Sequence, residues 1–371
     1  MSDSRFQPPE RLLMGPGPSN VHPRVLNALA RPTIGHLDPK FIELMDEIKS
    51  LLKFIYRTEN DVTFAVSGPG SVGMETCLVN LTEPGSKVAV CINGVFGGRM
   101  KSIVERCGAV PIVVSDDWGT AVDPGKLEDS LKKNNDVSVV AFVHAETSTG
   151  AKSDIKKLTE ISHKYDCLTI VDTVTSIGGI PLEIDDWEID ASYSGTQKCL
   201  SCPPGLSPVT FNESAIDFIK NRKTPVQSWF MDLNLVLGYW GGGVKRAYHH
   251  TAPVNALYGL HESLLLVQEE GLENAWKRHI ANGQLLVDKL SEIGLKPLVK
   301  ESERLPELTS VVIPDGIDDL KVRSKLLNDY NIEIGAGLGE FAGKVWRIGL
   351  MGYTSNEQNI STLVSALKSI L

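Results

Sequence analysis

The chain has 371 residues, 42% of them hydrophobic and 22% charged, and a formal net charge of −9 at pH 7. That length exceeds the size at which one core usually keeps growing, so a large domain and a smaller one are expected. The acidic balance argues against a protein that neutralises phosphodiester backbones, and nucleic acid is not an expected partner. No run approaches the ~20 apolar residues that cross a bilayer, and Met1 to Glu10 has neither the apolar core nor the Arg-rich face of a targeting segment. A soluble cytoplasmic protein with no membrane partner is expected, and Ser369-Ile370-Leu371 lacks the basic residue of a peroxisomal address. The six cysteines are scattered as in a reduced compartment. Cys199 and Cys202 form a C-x-x-C, but no second pair or nearby histidine completes a zinc site, so packing is the expected role and no metal is expected.

After the Gly-Pro-rich segment Gly15 to Pro18, Asp38 and Pro39 give a helix start, and Phe41, Leu44, Met45, Ile48, Leu52 and Ile55 recur at helical spacing. Short β-rich runs then alternate with helical patterns: Val62 to Val66, Lys87 to Ile92, Val110 to Val114, Ser138 to Val143, Leu168 to Val171, Ala191 to Tyr193 and Leu206 to Phe211. This alternation predicts an α/β fold with a mostly parallel seven-stranded sheet. A Gly-rich stretch, Gly238 to His250, precedes two long helical patterns, Val254 to Glu270 and Leu272 to Ile293. Strands near Thr309 to Ile313 and Val345 to Ile348, with helices near Asp318 to Tyr330 and Glu357 to Ile370, predict a small α+β domain. The expected division is an N-terminal arm over 1–20, a large domain over 21–250, and linking helices with the small domain over 251–371.

Three strand ends carry chemistry. Ser67-Gly68-Pro69-Gly70-Ser71-Val72-Gly73 follows an apolar strand and opens the helical pattern Met74 to Leu81, so its amides could cradle a phosphate. The same glycines satisfy G-x-G-x-x-G, but the next strand ends at Asn93-Gly94 without the acid that holds a ribose. A plain structural turn also remains open. Leu168 to Asp172 is a buried-strand pattern ending in an acid, which either faces a cation or caps the next turn. In Ser194-Gly195-Thr196-Gln197-Lys198 a lysine follows a short strand; alone it would read as a solvated charge. A phosphate cup, an acid and a lysine at successive strand ends are the elements of a pyridoxal 5′-phosphate site, with the acid on the ring nitrogen and the lysine as Schiff-base former.

These segments, with Leu13 to Asn20, Glu146 to Gly150, Pro203-Pro204-Gly205, Tyr248-His249-His250-Thr251 and Trp346 to Gly349, resemble the class V aminotransferases, in collinear order from about residue 12 to the C-terminus. Within that class the likeness is to the alanine-glyoxylate and serine-pyruvate aminotransferases. The resemblance implies a fold type I PLP-dependent transferase, a homodimer with shared active sites, and small amino acid and 2-oxo acid substrates. It implies that Lys198 bears the cofactor and shuttles the proton and that Asp172 holds the ring nitrogen. Phe96 would stack on the ring where many relatives have Trp, and Val174 would pack its other face. Gly70, Ser71, Val72 and Gln197 would bind phosphate, with Tyr248 and Thr251 from the neighbouring subunit. Thr147 would lie near the ring hydroxyl, Arg347 would clamp the substrate carboxylate, and Gly15 would line the amino-acid pocket. Two departures stand out: Pro69 lacks an amide hydrogen inside the cup, and Phe96 offers less stacking surface than Trp.

His22, His36 and His144 read most simply as core or surface histidines. His36 is the exception to watch, since related ureidoglycine-glyoxylate aminotransferases have a polar residue near here that helps recognise the ureido group. That activity is the alternative within the fold. Cysteine desulfuration is set aside because no cysteine follows Cys202. From another class, a nicotinamide-dependent oxidoreductase rests on the glycine match alone.

Overall fold

The computed structural model describes residues 5–241 and 246–371. The first four residues of the expected arm, and 242–245 of the Gly-rich stretch, lie outside them.

Two helices precede the sheet, α1 (Pro23–Leu29) and α2 (Pro39–Tyr56). The α2 start follows the sequence signal: the Asp38 side chain accepts from Lys40 N, and Pro39 occupies a position whose N–H would be orphaned anyway. It ends at Arg57, whose φ of 55° is the left-handed turn that stops a helix. One face, including Phe41, Met45, Ile48 and Ile55, is buried.

The main sheet has seven strands: β1 (Val62–Ser67), β2 (Lys87–Ile92), β3 (Val110–Ser115), β4 (Val137–Val143), β5 (Leu168–Asp172), β6 (Ala191–Tyr193) and β7 (Leu206–Phe211). Their spatial order is β1-β7-β6-β5-β4-β2-β3, and β7 alone runs antiparallel to its neighbours. The fold class expected from alternation is therefore the one observed. Central strands are apolar on both faces, as the fully buried Val88, Ala89 and Val90 show, because helices cover both sides. Edge strand β3 instead exposes Val110 and Val113. The carboxyl ends of β1, β2, β4, β5 and β6 lie along one edge, the place where open parallel sheets bind ligands. The helices α3 (Gly70–Leu81) and α4 (Val95–Arg106) start at that edge. Because α3 begins at Gly70 rather than Met74, the glycine-rich motif is its first turn.

A second sheet of three antiparallel strands, β8 (Leu308–Val312), β9 (Gly335–Ala336) and β10 (Val345–Gly349), has β10 in the middle. Its core includes Leu286, Leu290, Val311, Trp346, Ile348 and Leu363, together with Met14 from the N-terminal segment. The larger core extends from Val25 to Trp276 and so takes in the helix Val254–Glu270. The Gly-Pro segment stitches the two cores together. Met14 N donates to Glu333 O, Gly349 N to Met14 O, and Ser19 N to Gln197 O. This stitching requires glycine: a Cβ on Gly349 would overlap the Gly15 carbonyl, and one on Gly17, where φ is +102°, would overlap the Lys198 amine.

Candidate active site

Lys198 follows β6 in a loop whose backbone is pinned by Ser19, which donates to Lys198 O at 2.8 Å. Its side chain is buried, and the amine donates to Pro16 O. Burial, reinforced by the Arg347 charge, brings its pKa down to about 8, against the pull of Asp172. A neutral, nucleophilic amine is thus accessible near neutral pH.

Asp172 ends β5 and is buried. One carboxylate oxygen accepts from Tyr193 OH at 2.7 Å and the other from Val174 N at 2.9 Å, so the turn-capping role weighed from the sequence is also realised. Burial raises its pKa to about 6 despite those bonds. Remaining lone pairs can accept from a cationic N–H.

The cup is the first turn of α3. Val72 N is already used on Pro69 O at 2.7 Å, and Pro69 has no N–H, so the amides of Gly70 and Ser71 are the ones without a partner among the described residues. Gly70 lies close to Val174 and Ser194. Beside the cup, the Gln197 side chain makes no hydrogen bond among the described residues, and its Oε1 is buried. Phe96, in the first turn of α4, is half-buried, with the Arg99 guanidinium 5.1 Å from its ring centroid.

Arg347 reaches this edge from β10. Its Nε donates to Ala336 O at 2.7 Å and its Nη1 to Thr147 O at 3.0 Å, which leaves Nη2 without a hydrogen bond among the described residues. It is buried, and no carboxylate forms an ion pair with it among the described residues. Burial lowers its pKa to about 10, so it stays charged at neutral pH. Gly15 sits beside Gly335 on the same side. Tyr248 is 65% exposed and Thr251 is exposed, and neither side chain has a hydrogen bond among the described residues; the loop is tied to the cup strand by His250 Nε2 against Ser67 Oγ at 3.0 Å.

Sequence reasoning missed three groups. Tyr193 hydrogen-bonds Asp172, Arg99 donates to Ser71 Oγ, and fully buried Glu146 accepts from Phe96 N and from Ser148 N and Oγ. Glu146 lies in a segment singled out for its resemblance, yet only the fold shows that it holds the start of α4. Burial raises its pKa to about 7. Of the histidines, His22 caps α1, buried His144 is pushed down to about 3 and stays neutral, and His36 contacts the Tyr239 hydroxyl at 3.2 Å. His144 meets Asp172 through the backbone alone, its N–H donating to Asp172 O at 3.0 Å, and among the described residues no side-chain hydrogen bond joins any of the three to Lys198 or Asp172.

The edge thus combines a desolvated amine, a buried carboxyl, an anion cup and an unpaired arginine. The whole chain is similar to known proteins. The family described as Aminotransferase class-V matches residues 17–360. An alanine–glyoxylate aminotransferase of Rattus norvegicus is 42% identical over 98% of this chain and 88% of its own length. An (S)-ureidoglycine–glyoxylate transaminase of Bacillus subtilis is 37% identical over 98% and 91%. The crystal structure of an alanine–glyoxylate aminotransferase from Nostoc superposes with a TM-score of 0.97 at 45% identity, covering 100% of this chain and 97% of that one.

This chain belongs to the class V aminotransferases. It is a PLP-dependent transaminase of fold type I. The nicotinamide alternative falls with that membership, and Asn93, where a ribose acid would be needed, instead donates to Thr120 O. The residues fit the cofactor: the amides of Gly70 and Ser71 and the Gln197 Nε2, which have no hydrogen-bond partner among the described residues, are donors of the kind a phosphate needs, with a buried acid and a desolvated lysine alongside.

Proposed function

We propose that the enzyme moves the amino group of a small amino acid, alanine or serine, to glyoxylate or pyruvate. Buried Arg347 carries this reading: a fixed guanidinium with a free Nη2 and no carboxylate partner is a receptor for the carboxylate that amino and oxo acids share. A small amino acid as donor is in keeping with the alanine–glyoxylate aminotransferase of Rattus norvegicus, 42% identical to this chain.

Pyridoxal phosphate supplies an aldehyde that condenses with primary amines and a ring that accepts electrons from the substrate Cα. The chain's own groups do the rest. Lys198 would hold the cofactor through its amine and, once freed by the incoming amino acid, would take the proton from the substrate Cα and return it on the cofactor side. Asp172, held by Tyr193 and Val174, keeps the ring nitrogen protonated. Gly70, Ser71 and Gln197 bind the phosphate. The role of Val72 is confined to packing, since its amide is spent on Pro69. Phe96 and Val174 would pack against the cofactor ring, and Thr147, whose carbonyl orients Arg347, would lie by the ring hydroxyl. The exposed Tyr248 and Thr251 complete the cup of the partner subunit in a homodimer. The large domain, with its sheet, carries the cofactor, and the small one brings Arg347. No helix among the described residues is long and apolar enough to cross a membrane, in keeping with a cytoplasmic site of action.

A half-reaction panel tests the substrate assignment. Holoenzyme is mixed separately with alanine, serine, glycine, aspartate and ureidoglycine, and loss of the visible cofactor band is followed. Alanine or serine should convert it fastest; conversion by ureidoglycine alone would assign the enzyme to the activity of its Bacillus relative.

A further inference from the structure

We propose that Arg99 is a direct ligand of the cofactor phosphate, reaching over the rim of the cup. This rests on the cofactor site proposed above and adds to it a residue outside the set read from the family resemblance.

A phosphate monoester carries about −1.5 to −2 at neutral pH. The α3 N-terminus answers with only about half a positive charge, and among the described residues the Gly70 and Ser71 amides of its first turn are those without a partner. Full cations are scarce here: the Lys198 amine is bonded to Pro16 O, and Arg347 is fixed on Thr147 and Ala336 on the substrate side. Arg99 is the cation at the cup itself. It lies one turn after Phe96 on α4, so both side chains share a face. Its Nη1 donates to Ser71 Oγ at 3.1 Å, which anchors the guanidinium at a cup residue. The plane is steadied from the side by the Phe96 ring. No carboxylate forms an ion pair with it among the described residues, and its charge favours the ionised form of Asp172, as expected if it faces the site. Its remaining N–H groups are donors of the fork geometry that suits phosphate. One residue thereby supplies charge where Pro69 removes a donor and buttresses the smaller ring at position 96.

The test compares two aldehydes that differ only in the phosphate. Apoenzymes of wild type, R99Q and R99K are titrated with pyridoxal phosphate and with pyridoxal, reading the visible band and the quenching of tryptophan fluorescence. R99Q should weaken pyridoxal phosphate by about tenfold or more, as for loss of a hydrogen bond to a charged group, while pyridoxal changes less than about twofold. R99K, which keeps charge without the fork, should fall between. Equal weakening of both aldehydes would overturn the proposal and leave Arg99 as a support for Phe96 alone; unchanged affinity for both would also overturn it. Failure of the underlying site is a separate result: wild type would then bind the two aldehydes equally or raise no band.

Discussion

Two buried charges on adjoining segments of the small sheet have opposite fates. Arg347 on β10 and Glu307, just before β8, are both enclosed, and neither has an ion-pair partner among the described residues. The guanidinium is held by two carbonyls and keeps its charge, with one nitrogen left over. Glu307 has both carboxyl oxygens buried without a hydrogen bond, and the position of Gly179 brings it close to Cys199. Burial raises its pKa to about 8, so it resolves the problem by staying protonated. A carboxyl can shed a charge it cannot pair, whereas an arginine cannot. This contrast is what supports the proposed carboxylate-binding role of Arg347 and a packing role for Glu307.

The site side of this contrast should show the large effects. Lys198→Ala removes the one buried primary amine among the described residues, so the visible band should vanish and turnover should fall by at least about a thousandfold. Arg347→Gln should raise the KM for every amino acid by about a hundredfold and leave cofactor binding intact, with Arg347→Lys intermediate. If KM is unchanged for all donors, the carboxylate site lies elsewhere. Asp172→Ala should slow the proton-transfer step by more than about tenfold, read as the isotope-sensitive half-reaction rate. A change under about threefold would take Asp172 out of the electron-accepting assembly.

Titration sharpens the same comparison. With its pKa lowered from 10.5 to about 8, Lys198 is mostly protonated below pH 8 and neutral above it. The rate at which apoenzyme captures pyridoxal phosphate should rise with pH and level off just above 8; a continued rise to pH 10 would mean an ordinary, solvated amine. The smallest effect belongs to Glu307. Its folded pKa of about 8 lies above the usual 4.5, so the native state holds an extra proton between those values and stability is lost as pH rises through that window. Glu307→Gln abolishes the linkage. Its Tm relative to wild type should improve steadily from pH 5 to pH 8 while kcat/KM stays within about twofold. A flat Tm difference would mean that the carboxyl finds partners after all.

Much of this was readable in the sequence because the chemistry sits at strand ends, where an apolar run stops and a polar residue begins. Asp172 and the cup show that junction, and strands such as Lys87–Ile92 have boundaries set by composition. Lys198 was legible only through the company it keeps. The groups that were missed are those whose role depends on register. Tyr193 faces Asp172 because β5 and β6 pair those two residues, and Glu146 meets Phe96 across 50 positions of chain. No local periodicity encodes either meeting. The helix Leu233–Trp240 was hidden for another reason: eight largely apolar residues are too few to display a helical period. Gly70 to Gly73 concealed the first turn of α3, since glycine is a poor helix former that tertiary context overrides here.

The account turns on Lys198 as the attachment point. Borohydride reduction of the holoenzyme followed by peptide mapping reads that bond directly, because reduction makes the lysine–cofactor link permanent. The phosphopyridoxyl mass should appear on the peptide containing Lys198, and Lys198→Ala should carry none. A label on any other lysine, or no label on a chain that still transaminates, would contradict the assignment.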